Sequence, residues 1–371
     1  MARKQRHRHG IWHYICQFST QLTTAMQCIA ALMLGASAGS VYVSPDSIHG
    51  VSILGLGFPF FLAFAVLVGC IALLFTPRRS WISLVGLLAC FGSIRNYCPI
   101  NLSSEPPAEA WHVMTWNLGG VQWDDSSRTA LKEYIQRADL DIACFQEICP
   151  TRSDTLAQAL RYRMPYCSFS GKDDGGTGIS ILSRWPIIGV DTLSDHGANR
   201  AQAYTLLLAP GDTLFVVNVH MESMHIPHET RTDYSAIVHR EQTNRDTVET
   251  ISKTLLQHIA ENSAIRSHQA DSVADYIRLR AGRKILVMGD FNDTPISYTR
   301  QTLYEAAPLT DCWRATGTGI ARTFNRNAFY VRIDHIFCSS AHFVPYQCRI
   351  DHSKLSDHYP VDTYIGNITT N

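Results

Sequence analysis

The chain has 371 residues, 46% of them hydrophobic and 17% charged, with 32 basic and 32 acidic side chains. That apolar content excludes a disordered chain, and a charged fraction below the ~25% usual for soluble domains argues against a wholly soluble one. The balance is uneven: residues 1–104 hold seven basic residues and one acid, leaving 25 basic and 31 acidic residues, a formal charge of −6, for the rest. That is the wrong sign for a domain that relies on Lys and Arg to neutralise nucleic-acid phosphates.

In chain order, the first elements are apolar. Leu22 to Val43 and Val51 to Phe75 carry no charged side chain, and the connector between them holds only Asp46. Each is long enough to cross a bilayer core as a helix. Trp81 to Pro99 is read as a third span, interrupted near its end by Arg95. Basic residues cluster before span one (Arg3, Lys4, Arg6, Arg8) and between spans two and three (Arg78, Arg79), so both segments are expected on the cytoplasmic side. Three crossings then place everything after about residue 100 outside the cytoplasm, in the periplasm if the cell is bacterial. Two alternatives stand beside this: a secretory signal cleaved near Ala36 to Ala38, which leaves the large domain on the same side, and a two-span anchor, which leaves it cytoplasmic.

Residues 101–110 read as a linker, because Pro106 and Pro107 forbid a helix through them. The remainder, 111–371, has the length of one α/β domain. Short strands are expected at 111–118, 141–147, 178–187, 203–208, 214–220, 283–290, 332–338 and 359–365, with a helix near 127–137. Segment 226–282 has a helical pattern and reads as an excursion between two strands. Runs of five to eight residues, several ending in a polar residue, suggest two packed sheets covered by helices. The eleven cysteines show no CxxC pair, so neither a zinc site nor a disulfide framework is legible.

Chemistry concentrates at strand ends: Trp116-Asn117, Gln146-Glu147, Asn218-Val219-His220, Gly289-Asp290-Phe291-Asn292, Arg332-Ile333-Asp334 and Ser356-Asp357-His358. A single Asp or His at a strand end is usually a turn former or a satisfied surface group. The ordered set is another matter. Through "WNLGG", "FQE", "GTGISILSRWPI", "VNVH", "GDFND", "RIDHIF" and "SDHYPV", residues 111 to 365 resemble the endonuclease/exonuclease/phosphatase superfamily of metal-dependent phosphoesterases. The resemblance implies a four-layer α/β sandwich of two packed mixed sheets flanked by helices, with its site where the strand ends of the two sheets meet.

It also implies roles. Glu147 would be the principal ligand of magnesium, or of manganese in its place, with Asn117 beside it and Asp357 completing or sharing that shell. Asp290 would orient or deprotonate the attacking water, and Asn292 would hydrogen-bond the phosphoryl oxygen. His358, held by Asp334, would contact the phosphate or move a proton, and His220 would stabilise the transition state or help the leaving group. The inositol phosphatase branch is disfavoured, since its W-x-G-D-x-N-x-R and C-D-R-I-L stretches are replaced here by "VMGDFND" and "RIDHIF".

The expected function is hydrolysis of a phosphate ester at a membrane, the substrate being a lipid headgroup, a small molecule or a nucleic acid, with no obligate protein partner. Alternatives are a nuclease acting on DNA or RNA outside the cytoplasm, a catalytically silent binding module of the same fold, and a membrane structural or transport protein with a soluble appendage. For the last, spans one and two offer no intramembrane acid or base as a path.

Overall fold

Strand residues alternate between two buried faces, and that alternation sets the layers. A computed structural model describes residues 11–171, 176–197, 199–224, 245–324, 326 and 331–368. The basic residues at positions 3–8 and residues 226–244 of the excursion lie outside the described residues.

The soluble part begins with β1 (Trp111–Asn117), α6 (Asp125–Arg137), β2 (Ile142–Ile148), α7 (Pro150–Leu160), β3 (Tyr166–Gly171) and β4 (Gly178–Ser183). It continues through β5 (Ile187–His196), β6 (Asn199–Ala209), β7 (Asp212–His220), α8 (Arg245–Arg278), β8 (Lys284–Asp290) and α9 (Tyr298–Glu305). It ends with β9 (Leu309–Asp311), α10 (Cys312–Thr316), β10 (Asp334–Ser339), β11 (Phe343–Ile350) and β12 (Val361–Asn367). Two six-stranded sheets form, ordered β11-β12-β1-β2-β4-β3 and β5-β6-β7-β8-β10-β9. Each is mixed, with one parallel pair near its middle, β1 with β2 and β7 with β8.

The period of two sorts side chains between layers. Val113, Ile142 and Ile181 of the first sheet meet Val216, Leu286 and Met288 of the second in the central core. Their neighbours Met114, Trp116 and Phe145 face the other way, onto Leu131 and Ile135 of α6 and Leu156 of α7. On the second sheet Val217, Val287 and Phe337 pack under Val273 and Ile277 of α8 and Leu303 of α9. The result is the expected sandwich: helices, sheet, sheet, helices.

Three strands, β3, β9 and β11, had no counterpart in the sequence reading. All lie at sheet edges, where half-exposed residues blur the alternation, and β11 carries Pro345 and a register shift between Tyr346 and Arg349. The run 178–187, read as one strand, instead covers all of β4 and the first residue of β5, in different sheets. The chain turns where Trp185 N donates to Ser183 Oγ at 2.9 Å, and Pro186 has no N–H to continue a ladder.

N-terminal to this domain are α1 (Ile11–Gly39), α2 (Val51–Leu56), α3 (Phe58–Phe75), α4 (Trp81–Ala89) and α5 (Phe91–Tyr97). Segments His13–Tyr42 and Phe58–Phe75 are long and apolar enough to cross a membrane, and only 33% and 22% of an apolar 18-residue stretch in each is buried. Phe18, Leu32, Phe60, Leu74 and Trp81 point outward. The third expected span is not one continuous helix, for α4 ends at Cys90 and α5 restarts there. α1 packs against both α3 and α4, and Arg79, in the turn after α3, donates to Thr24 Oγ1 of α1 at 2.9 Å.

These helices do not hang from a free tether. Leu34, Phe58 and Val68 share a hydrophobic cluster with Ile296, which lies just after β8. An ideal Cβ on Gly55 would stand 2.2 Å from the Ile296 carbonyl oxygen, so α2 lies directly on that loop. Asn101, at the start of the expected linker, donates to the carbonyls of Arg314 (3.0 Å) and Gly317 (2.7 Å).

Candidate active site

Strand register brings the polar ends together. Asn117 of β1 stands beside Gln146 of β2, and His220 of β7 beside Asp290 of β8. Asp334, at the start of β10, faces Asp290 across an antiparallel pair. Gly289 precedes Asp290 with φ 144°; a Cβ there would lie 2.1 Å from the Val219 carbonyl oxygen, so only glycine lets β8 end this close to β7. Glu147 (φ 52°), in the register shift near the end of β2, and Asn292 (φ 49°), just past β8, lie in the left-handed region, a conformation costly for an ordinary side chain and concentrated at functional sites.

The side chains form one connected cluster. Asn117 Nδ2 donates to Glu147 Oε1 at 3.1 Å and to Asp290 Oδ2 at 2.9 Å, and its Oδ1 accepts from Gly119 N at 2.8 Å. His220 Nε2 lies 3.5 Å from Glu147 Oε1 and 4.0 Å from Asp290 Oδ2. On the other side His358 Nδ1 meets Asp334 Oδ2 at 2.9 Å, with its Nε2 3.8 Å from Asp290 Oδ2. Asn292 donates its backbone N–H to Asp290 Oδ1 at 2.8 Å and its amide to the Met221 carbonyl at 2.9 Å. Two rings fix His358: Trp116 Nε1 donates to its carbonyl at 2.9 Å, and Phe324 meets its imidazole edge-on at 5.0 Å.

Burial and charge then set protonation. Burial would raise the Glu147 carboxyl, but the hydrogen bond and charge of His220, the Asn117 amide and the His358 cation outweigh it and hold it at about 2. Burial, reinforced by Asp334, pushes Asp290 up to about 6 against the pull of His358, His220 and Asn117. Burial works against a charged His358, yet Asp334 and Asp290 hold its pKa at about 10. At neutral pH the cluster therefore contains an ionised, partly exposed acid, a carboxylate poised near neutrality and an imidazolium.

Two places could seat a cation. Asp290, Asp334 and His358 each bring a ligand-type atom within 4.8 Å of the others, but an imidazolium has no lone pair to give. Glu147, 40% exposed and ionised, is the better seat. Gly119 keeps that seat open, since a Cβ there would stand 2.5 Å from Glu147 Oε2. The whole cluster sets three carboxylates against two imidazoles, and Asp334 Oδ1 is buried with no hydrogen-bond partner among the described residues. Such an anion-rich, hard-oxygen donor set fits a divalent cation.

Seven of the eight expected site residues (Asn117, Glu147, His220, Asp290, Asn292, Asp334 and His358) thus share one cluster. The eighth, Asp357, sits beside Gly120, and its described contacts are with Arg326 Nη1 at 3.3 Å and Ser356 Oγ at 3.5 Å rather than with Glu147. Sequence reasoning missed Thr323, whose Oγ1 accepts from the backbone N–H groups of Ile333 (2.9 Å) and Asp334 (3.1 Å) and so holds the start of β10. It lies in a polar segment with no periodicity to mark it. Ser356, noted only as a neighbour of Asp357, donates to the carbonyls of Asn117 and Gly119 and joins the turns carrying Asn117 and His358.

A two-sheet α/β sandwich whose ionisable residues gather where strand ends of both sheets meet defines a class. The chain belongs to the Endonuclease/Exonuclease/phosphatase family, whose model matches residues 114–358. Residues 20–97 match a second model, described as a domain of unknown function. Among solved structures the fold is similar to the human Nocturnin catalytic domain with bound sulfate anion, at 15% identity over 72% of this chain and 97% of that one, TM-score 0.51. Also similar are a humanized D. rerio TDP2 (16% identity, 69% and 99% covered, TM-score 0.48) and Sphingomyelinase C from Streptomyces griseocarneus (15% identity, 69% and 99% covered, TM-score 0.47). No curated protein sequence matches the chain.

Proposed function

We propose that the chain is a divalent-metal-dependent hydrolase of phosphate esters, held at a membrane by its N-terminal helices, with Glu147 and Asn117 as the magnesium seat and Asp357 at its rim. The observation that carries this reading is the anion-rich cluster at the meeting of the strand ends, with Asp334 Oδ1 left without a donor. A divalent ion on that seat supplies positive charge for the non-bridging phosphoryl oxygens.

The protein's own residues do the rest. Asp290, raised toward neutrality yet ionised at pH 7, takes the proton of the attacking water. Asp334 fixes the His358 ring through Nδ1, so that Nε2–H presents a charged donor to the phosphate. Asn292 gives the phosphoryl oxygen a neutral donor, and His220 stabilises charge on the leaving oxygen. The membrane reading is supported by how little of His13–Tyr42 and Phe58–Phe75 is buried, since the core helix of a soluble protein would be largely covered. Topology follows the basic residues, with Arg78 and Arg79 cytoplasmic, the broken α4–α5 segment making the third crossing, and the catalytic domain on the opposite side, periplasmic in a bacterium.

The test is hydrolysis by the full chain in detergent micelles of single- and double-stranded DNA, RNA, phospholipids and phosphomonoesters, with magnesium, with chelator, and as Asp290→Asn. Cleavage of one class that needs the metal and vanishes in the variant is the expected result. Silence across the panel would favour a binding module, and cleavage that survives chelator would overturn the metal seat. A cytoplasm-dependent reporter fused after Asn371 should stay dark; a signal would put the domain on the other side.

A further inference from the structure

A cavity of about 480 Å³ lies where the membrane-facing helices meet the soluble domain, between the end of α1, the α4–α5 break and α9. Its two walls differ. One is helical and apolar, with small residues and three glycines, Gly35, Gly39 and Gly92, at which an ideal Cβ would meet nothing within 4 Å. Glycines that serve helix packing look different. A Cβ on Gly86 would stand 2.8 Å from Ala31 Cβ, and one on Gly69 3.2 Å from Ser83 Cβ. The three lining glycines hold a cleft open.

The other wall is polar and short of partners. Asn96 is 9% exposed, lines the cavity, and its side-chain Oδ1 has no hydrogen-bond partner among the described residues. Among the described residues the Arg314 guanidinium hydrogen-bonds only the Tyr304 hydroxyl, at 3.3 Å from Nη1. The nearby carboxylate of Asp311 accepts from the backbone N–H of Arg314 and is neutralised by Arg300 at 2.9 Å, so among the described residues the Arg314 guanidinium pairs with no acid. Arg95, from the last turn of α5, donates to Asn101 Oδ1 and to the Arg314 carbonyl and ties this corner together.

A guanidinium without an acid partner, an amide oxygen without a donor and an adjoining cleft kept open at three glycines, all beside an apolar helical surface, match one kind of molecule. We infer that this cavity binds a membrane phospholipid, its phosphate on Arg314 and Tyr304, its glycerol or headgroup polar atoms on Asn96, and an acyl chain along Gly35, Gly39 and Gly92. This rests on the reading that α1 and α3 lie in a bilayer. The consequence is positional. Asn96 also gives its carbonyl to Arg332 Nη2 at 2.8 Å, so a lipid held there is fastened to the same residue that seats the soluble domain on the helices.

The test uses the full chain in detergent with phosphatidylglycerol as probe, read by native mass spectrometry. Diacylglycerol of the same chains and inorganic phosphate serve as the two half-ligands. A bound phosphatidylglycerol is expected, weakened about tenfold or more in Arg314→Gln by loss of a charge-assisted bond, largely restored in Arg314→Lys, and lost in Gly92→Leu, which fills the cleft. If both arginine variants melt early, Gly92→Leu on the opposite wall decides. Unchanged binding in Gly92→Leu and Arg314→Gln overturns the site, and binding of inorganic phosphate alone at equal strength overturns the lipid. Carbonate extraction of cell membranes separates the two readings. Protein that stays in the pellet without binding phosphatidylglycerol sinks the lipid site and keeps the anchor, whereas protein released in full sinks the anchor.

Discussion

Two buried ionic clusters lie back to back around the turn after β8, and they are charged in opposite senses. In front, the site sets Glu147, Asp290 and Asp334 against His220 and His358. Behind it, Arg266, Arg300 and Arg332 outnumber Asp293 and Asp311, with His335 pushed well below its ordinary value by burial and by Arg332. The rear acids are fully engaged. Asp293 accepts from Arg266, Thr299 and its neighbour's N–H, and Asp311 from Arg300 and the Arg314 N–H. In front, Asp334 keeps one oxygen without a donor. Depth does not distinguish a structural ion cluster from a chemical one, because apart from the half-exposed Glu147 both are almost fully buried. The sign of the excess does: the unfilled group in front is a carboxylate oxygen, whereas behind it is the Nε of Arg300 and of Arg332.

The sharpest way to break this contrast is to neutralise one acid from each cluster. Asp290→Asn should lower hydrolysis by about 10²–10⁴-fold, the range for losing a positioned base. It should leave the melting temperature unchanged or raise it, because one of two facing carboxylates loses its charge. Asp311→Asn should do the opposite. Arg300 would stay buried without its counter-ion, at a cost of about 3–5 kcal/mol, while the folded fraction keeps its turnover. Denaturant unfolding and specific activity measured on both proteins decide; equal destabilisation by the two substitutions would erase the distinction. The pH dependence of folding offers a second view of Asp311. Its carboxyl is held at about 2, burial being outweighed by Arg332 and Arg300. A folded value below the unfolded ~3.9 means stability that is complete above pH 4 and drains away as pH falls toward 2. Asp311→Asn should lack that component.

The front cluster was legible in the sequence and the rear one was not. Asn117, His220, Asp290 and Asp334 each end or begin a strand that is largely apolar on both faces, and Glu147 stands one residue from the end of another, so a polar residue there breaks a pattern and shows itself. Arg266 is one charge among many on the 34-residue α8, and Arg300 sits in a helix whose other residues are largely polar, so their burial follows only from what packs over them. The seating of α2 and α5 on the domain was hidden for a similar reason. It is made by backbone atoms, Ile296 O against Gly55 and Asn96 O against Arg332, and backbone carries no sequence signal. The sequence marks a weakness of the third span at Arg95, but not the break at Cys90, because hydropathy runs straight through that residue.

Within the front cluster the division of labour can be sharpened by pH. Asp334 raises both of its partners: it is the largest charge lifting Asp290, after burial, and it holds His358 cationic against burial. An acid limb of the rate profile reports Asp290 losing its proton, and an alkaline limb reports His358 losing its charge. Asp334→Asn should therefore move both limbs to lower pH, whereas a merely structural Asp334 would lower the plateau and leave the limbs in place. A bound cation draws the acid limb down in both proteins, so the comparison is made at one magnesium concentration.

The smallest effect is expected at the rim. Arg326 and Asp357 approach within 3.3 Å, but their side chains are 55% and 20% exposed, so water and salt screen the pair and its contribution to folding is under about 1 kcal/mol. Arg326→Ala should leave the melting curve nearly unmoved. Its effect belongs to the substrate: beside Gly120, with Asp357 its only described ion partner, Arg326 adds positive charge at the edge of an anion-rich site. The variant should raise KM by less than about fivefold with kcat unchanged, and the increase should shrink as salt is added, as screened attraction requires. A fall in kcat instead would move Arg326 from the rim into the cluster, and with it Asp357 toward the cation seat it was first expected to share.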